Sequence, residues 1–136
     1  MSITVNELGW LLTVPHHARG ARIARHRLTE ALSGAVSADV LLDAAAVAAE
    51  LVGNAVRHAS PLPGDVIRVA WRLVVGGGVE IRVTDGGSAV APRVLAADPD
   101  SVGGRGLTIV QALACRWGAE PEGRGQCVWA ELRGIG

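Results

Sequence analysis

The stretch "AELVGNAVRHA", Ala49 to Ala59, sets Glu50, Asn54, Arg57 and His58 into a run otherwise rich in alanine and valine. On a helix advancing about 100° per residue, these four and Asp43 fall within a stripe roughly a quarter of the circumference wide. Val40, Ala44, Val47, Leu51 and Val52 cover most of the remainder. Asn is a poor helix-interior residue, because its short amide competes with the backbone. With Glu50 one turn earlier it offers oxygens aimed at one point in space. Such a pair suits a hard cation such as Mg²⁺, which completes its shell with phosphate oxygens and water. For the Glu and the Arg alone, a plain solvated helix face is the better account, since charged residues are mostly exposed.

Two further features invite the same question. In "VEIRVTD", Asp85 follows Val79, Ile81 and Val83 at the two-residue period of a strand. If that side faces the helices, the carboxylate points at the interior edge and needs a donor. An Asp before Gly86 and Gly87 is also an ordinary turn former. Then "VGGRGLTIV" leads three glycines, Gly103, Gly104 and Gly106, and Arg105 straight into a helix. Glycines let backbone N–H groups approach an anion, the helix N-terminus adds partial positive charge, and Arg supplies a fork of donors. Read alone, such a loop is more often a flexible connection than a phosphate site.

The elements that must position these groups follow from pattern. "GWLLTVP" is a short apolar run closed by Pro15 and reads as a strand. Residues 17–34 place Ala21, Ala24, Leu28, Ala31 and Leu32 at helical spacing, with Arg19, Arg22, Arg25 and Glu30 largely on other faces. Ser37 is the N-cap expected for a second helix that runs to about Ala59, before "SPLPGD" breaks it. "VIRVAWRLVV" and "VEIRVTD" alternate around "GGG", a hairpin signal. An irregular stretch from Gly86 to Arg105 follows. "GLTIVQALACRWG" then predicts a helix closed by Gly118, and "QCVWAELR" a last strand. The order predicts an α+β two-layer sandwich with a mixed, mostly antiparallel sheet covered on one face by helices, in one domain over residues 1–136.

Composition narrows the function classes. The 136 residues suffice for a sizeable core, with 49 % apolar and 19 % charged residues. No apolar run approaches the roughly 20 residues of a membrane span, and "MSITVNELGW" lacks the form of a secretory signal. The expectation is a cytoplasmic protein with no membrane partner. Cys115 and Cys127 are expected to be buried small hydrophobes. A formal net charge of zero argues against a broad nucleic-acid-binding face. All 13 basic residues are Arg, five of them within the first 57 positions.

Taken in order, the three features resemble the ATP-binding fold of gyrase B, Hsp90, histidine kinases and MutL. Glu50 and Asn54 in "ELVGNAVRH" match its first box, Asp85 and Gly87 its Asp-x-Gly box, and Gly104 and Gly106 in "GGRGL" its glycine box. The small size and the ending "RWGAEPEGRGQCVWAEL" look most like actinobacterial anti-sigma factors related to serine kinases of sporulation and general stress. The resemblance implies that Asn54 holds Mg²⁺ bridging the ATP phosphates and that Asp85 accepts a hydrogen bond from the adenine amino group. Gly87 would let the base lie close to the backbone. Gly103, Gly104, Arg105 and Gly106 would wrap the phosphates, flanked by Arg57 and His58. Glu50 would orient or deprotonate a serine of the partner. The function implied is an anti-sigma factor that sequesters a sigma factor and is antagonised by an anti-anti-sigma protein of the STAS type, which it phosphorylates on serine with Mg-ATP. Such a protein works as a homodimer, pairing through its first strand and helix. Two departures stand out: Ala89 occupies the place of a further glycine, and the segment between Gly86 and Gly103 holds no Lys, leaving Arg93 or Arg105 as the cation for the γ-phosphate. A non-catalytic partner-binding module with a vestigial nucleotide site is therefore the alternative. A histidine kinase catalytic module is disfavoured, since no His-bearing helix pair precedes the domain.

Overall fold

The alternating apolar residues of the chain close into one six-stranded sheet. A computed structural model describes residues 3–6, 9–88 and 105–134, with residues 3–6, 105 and 106 given by backbone course alone. The elements are β1 (Ile3–Asn6), β2 (Gly9–Pro15), α1 (Ala18–Leu32), α2 (Ala38–His58), β3 (Val66–Val74), β4 (Gly78–Asp85), α3 (Arg105–Leu113), β5 (Arg116–Glu122) and β6 (Gly125–Leu132). The sheet order is β1-β2-β3-β4-β6-β5. Each neighbouring pair is antiparallel, in keeping with the mostly antiparallel sheet that the element order predicts.

Both long helices begin where a side chain can satisfy a free backbone donor. Ser37 Oγ accepts from the Val40 N–H at 3.2 Å, and His17 Nδ1 accepts from the Arg19 N–H at 3.1 Å. Asp39 in the first turn of α2 and Arg57 and His58 in its last complement the helix dipole. The two prolines of "SPLPGD" then keep the chain from continuing.

One face of the sheet carries the core. Leu12 and Val14 of β2, Ile67, Val69 and Trp71 of β3, Val79, Ile81 and Val83 of β4, and Val128, Ala130 and Leu132 of β6 are buried against the helices. In register, Val69 lies opposite Val83, and Trp71 opposite Ile81, so the period-two pattern lands on one side throughout. Leu73 continues that face in sequence but is 44 % exposed, at the strand's far end. From the helices, Ala24, Leu28, Leu32, Val40, Ala44, Val47, Ala48, Leu51 and Val52 complete the layer.

Two strands escape the sequence pattern. β5 occupies the end of what reads as the third helix: α3 stops at Leu113, and the Cys115 N–H already donates to the Glu131 carbonyl at 2.9 Å. "RWGAEPE" is an edge strand, and its charges and Pro121 suit an edge that must not recruit another chain. β1 is only four residues long. Cys115, expected inside, is exposed as a consequence of this change, whereas Cys127 on β6 is buried.

The opposite face of the sheet is held by charge. Arg72 donates to Glu80 from Nε at 3.0 Å and from Nη2 at 3.3 Å. Arg82 bonds Glu120, Thr84 Oγ1 donates to Glu122 at 2.6 Å, and Arg116 lies 5.6 Å from the Trp129 ring centre. Beneath this layer Cys127 is sealed, and burial pushes its thiol pKa up.

Candidate functional site

The carboxyl end of β4, the exit of α2 and the exit of β2 meet at one end of the sheet. The Ser60 N–H donates to the Gly87 carbonyl at 2.9 Å, and the Gly86 N–H returns a bond to the Ser60 carbonyl at 2.7 Å. Gly86 sits so close to this loop that an added Cβ would come within 2.1 Å of the Pro61 carbonyl oxygen. Only glycine permits that contact.

Asp85 is 4 % exposed. Its Oδ1 accepts from the Gly87 N–H at 2.7 Å, so it is a turn former as well as a buried acid. One oxygen is thus committed to the turn and acceptor capacity remains on the carboxylate. Burial raises its pKa above the usual carboxylate range, against the Gly87 N–H and the nearby His16, which lower it. Gly87 has a φ of 98°, a left-handed conformation that favours glycine.

On α2 the polar stripe divides. Asn54 is buried at 8 % exposure, while Glu50 is half-buried and Arg57 and His58 are exposed. Asn54 Oδ1 is enclosed and has no hydrogen-bond partner, one of two such side-chain atoms among the described residues, the other being Trp71 Nε1. An unpartnered buried acceptor is costly and asks for a donor or a cation. The Arg57 side chain folds back along its own helix. A Cβ on Gly53 would meet Arg57 Nη1 at 3.1 Å and Nη2 at 3.7 Å, so glycine leaves the seat on which the guanidinium rests, one turn toward Glu50.

The first two boxes are therefore brought together, since α2 packs across β4 and their exits are hydrogen-bonded. Gly103 and Gly104 lie outside the described residues. Arg105 and Gly106 form the first turn of α3, which packs on α2 and hands the chain to β5 at the end of the sheet away from Asp85. Arg93, the other cation considered, and Ala89 also lie outside the described residues.

Sequence reading missed His16. It follows Pro15 at the end of β2, and its Nε2–H donates to the Ala59 carbonyl at 2.8 Å. No spacing rule points to it, because its hydrogen-bond partners, Ala59 and Asp65, lie 43 or more residues further along the chain.

The residues fit a Mg²⁺–nucleotide. Asn54 Oδ1 is an acceptor awaiting a partner, and Asp85 is an acceptor beside a turn that glycine keeps open. Among the described residues no three His, Cys, Asp or Glu side chains gather to hold a metal by themselves. A metal here would rest on Asn54 and on oxygens its ligand supplies.

Comparison with known families places this arrangement. Residues 14–132 match the histidine kinase-like ATPase domain, and the chain belongs to that family. Among solved structures it is similar to the RsbU and RsbW domains of Rv1364c from Mycobacterium tuberculosis, at 23 % identity and a TM-score of 0.65. That match covers 90 % of this chain but 32 % of the other, so the chain spans about a third of that protein's length. It is also similar to a chain of the SiaB–SiaC complex from Pseudomonas aeruginosa, at 15 % identity, a TM-score of 0.68, and coverage of 96 % of this chain and 89 % of that one. Both likenesses are of fold. No curated protein matches. Among the described residues, no helix is long and apolar enough to cross a membrane.

Proposed function

We propose that this protein binds Mg-ATP at the α2–β4 end of the sheet, phosphorylates a serine of an anti-anti-sigma (STAS-type) partner and sequesters a sigma factor when that partner is absent. The observation that carries the nucleotide reading is the pairing of an unsatisfied Asn54 oxygen on α2 with a buried Asp85 acceptor at the neighbouring strand end. The family and the likeness to a protein crystallised as the SiaB–SiaC complex support the partner reading.

Each residue has a chemical task. Asp85 accepts from the exocyclic amino group of adenine, which distinguishes it from the carbonyl of guanine. Asn54 would hold Mg²⁺ through its side-chain oxygen, and the metal would supply charge that compensates the phosphates. Gly103, Gly104, Arg105 and Gly106 present donors to the phosphates, with Arg57 and His58 beside them. Glu50, half-buried on the same stripe, takes the proton of the partner's serine as its oxygen bonds to the γ-phosphorus and the bond to ADP breaks. The protein acts in the cytoplasm as a homodimer.

Titration calorimetry with Mg-ATP and Mg-GTP tests the site: binding of ATP with discrimination against GTP is expected. No heat at millimolar nucleotide would leave only the partner-binding module. With a cognate partner, transfer of labelled phosphate should fall at least 100-fold in Glu50→Ala while Mg-ATP affinity holds, the scale expected for loss of a general base. Unchanged transfer would remove Glu50 from this role.

A further inference from the structure

We propose that His16 is a positioning residue for the base-binding end of the site, fastening the exit of α2 to the end of β2 so that the Asp85–Gly87 turn is held in place. The inference rests on Asp85 as the base acceptor, and adds a residue that none of the three boxes contains.

The geometry is a chain of hydrogen bonds linking three segments. The His16 backbone N–H donates to the Asp65 carbonyl at 2.9 Å, and the ring Nε2–H donates to the Ala59 carbonyl at 2.8 Å. Next in sequence, Ser60 exchanges the two bonds already described with Gly86 and Gly87. Gly87 in turn donates to Asp85. The ring therefore holds Ala59, the adjacent residue holds the turn, and the turn holds the carboxylate. Ala59 is the C-cap of α2, so the same bond ties the last turn of the helix that bears Asn54. Asp65 takes a left-handed φ of 59°, which an Asp tolerates better than a branched residue, and this aims its carbonyl at His16.

His16 also acts on Asp85 through charge, favouring its ionised form. Among the described residues His16 is the charged group that acts on Asp85; the Gly87 amide on its own side, Gln126 opposite it on β6, the backbone of Ser60 and Pro61 against the turn and the Arg124 carbonyl beside Gly87 are neutral. His16 is thus the electrostatic partner of the acid as well as the fastening of the loop beside it.

Three variants and two ligands test the assignment. His16→Ala removes the ring, His16→Leu keeps bulk without a donor, and His16→Gln restores an N–H donor without an ionisable ring. Mg-ATP and adenosine affinities should fall by the same factor, about tenfold, in His16→Ala and His16→Leu, the cost of one lost hydrogen bond in a coupled set. His16→Gln should recover most of it. A loss seen with Mg-ATP but absent with adenosine, or wild-type affinity in whichever of Ala and Leu folds, would overturn the proposal. In the nucleotide-free protein, the ¹³C resonance of the Asp85 carboxyl should titrate at higher pH in all three variants than in the wild type. If the wild type binds no nucleotide yet this titration moves, the nucleotide reading falls and the hold of His16 on Asp85 stands. An unmoved titration overturns the electrostatic hold of His16 on Asp85, and unmoved affinity overturns its positioning role.

Discussion

Strand β4 carries two buried acids five residues apart, and they are treated in opposite ways. Glu80, on the outer face, is 8 % exposed and receives two bonds from Arg72, with Arg82 at 4.0 Å. Asp85, at the strand's end on the helix side, is 4 % exposed and receives one backbone N–H, with a histidine nearby. The first is a matched charge within a sheet-spanning layer of ion pairs. The second is left with acceptor capacity and a pKa raised by burial. The proposed site is marked by incomplete pairing: Asp85 and the unpartnered Asn54 oxygen belong to elements whose exits are bonded to each other.

Exchanging each acid for its amide separates the two roles. Asp85→Asn keeps an oxygen for the Gly87 N–H but turns an amide NH₂ toward the adenine amino group, setting donor against donor. Mg-ATP affinity should fall about 100-fold, the scale of a charged hydrogen bond replaced by a clash. The nucleotide-free variant should melt no lower than wild type, because a desolvated charge is gone. Glu80→Gln should do the reverse, losing about 0.5–1 kcal/mol of stability, as exposed Arg partners imply, with affinity unchanged. Denaturant melts and calorimetry on the same preparations decide it. A destabilised Asp85→Asn protein with intact affinity would erase the distinction.

Acidity sharpens the same contrast. Because the folded pKa of Asp85 lies above its unfolded value, its contribution to stability is present below the unfolded pKa and lost as pH rises through the folded one. The proposed recognition of the base needs the ionised form, so it runs the other way. Mg-ATP affinity should drop as pH falls through the raised pKa, nearer neutrality than an ordinary Asp near 3.9 would give. Adenosine, which carries no titrating phosphate, should show the same acid limb, and Asp85→Asn should flatten it. An adenosine affinity that stays flat through the pH range in which the Asp85 carboxyl itself titrates would mean that the carboxylate is not the acceptor.

A smaller effect is expected at the guanidinium seat. Gly53→Ala would put a methyl 3.1 Å from Arg57 Nη1, and the flexible end of the side chain must then move off the stripe. Alanine also favours the helix by about 1 kcal/mol over glycine, so stability should rise. Affinity for Mg-ATP should fall severalfold while that for adenosine holds, since Arg57 is assigned to the phosphates. Equal losses for both ligands would move Arg57 to the base end.

Much of this was legible in the chain and some was not, for physical reasons. The polar stripe of α2, its Ser37 cap and the buried faces of β3 and β4 follow from periods of 3.6 and 2, which burial on one side enforces. Asp85 was legible as a misfit on an apolar face. Strand β5 was not, because an edge strand exposed on most positions has no buried face to imprint alternation, and Gly118 looks like a helix stop. Gly118 is in fact the position over which Trp129 lies, its ring 3.0 Å from where a Cβ would stand. His16 was invisible because its role is set by carbonyls that only the fold brings to it.

The two cysteines offer the mildest test of the contrast between a closed outer face and an open site end. Cys115 lies at the exposed junction of α3 and β5, where its thiol donates to the Glu131 carbonyl at 3.1 Å. Cys127 is fully buried beneath the layer formed by Arg82, Glu120, Thr84 and Glu122, and burial disfavours its thiolate. Since the thiolate is the reactive form, Cys115 should be alkylated in the native protein and Cys127 only when the sheet opens. Its labelling rate should then follow global unfolding, rising with denaturant along the same slope as the loss of far-UV signal. Mg-ATP would slow it only through the stability that binding adds, in proportion to ligand concentration over Kd. If Cys127 labels at native rates insensitive to denaturant, the ion-pair layer is a mobile cover, and the outer face is no longer the fully matched counterpart of the proposed nucleotide end.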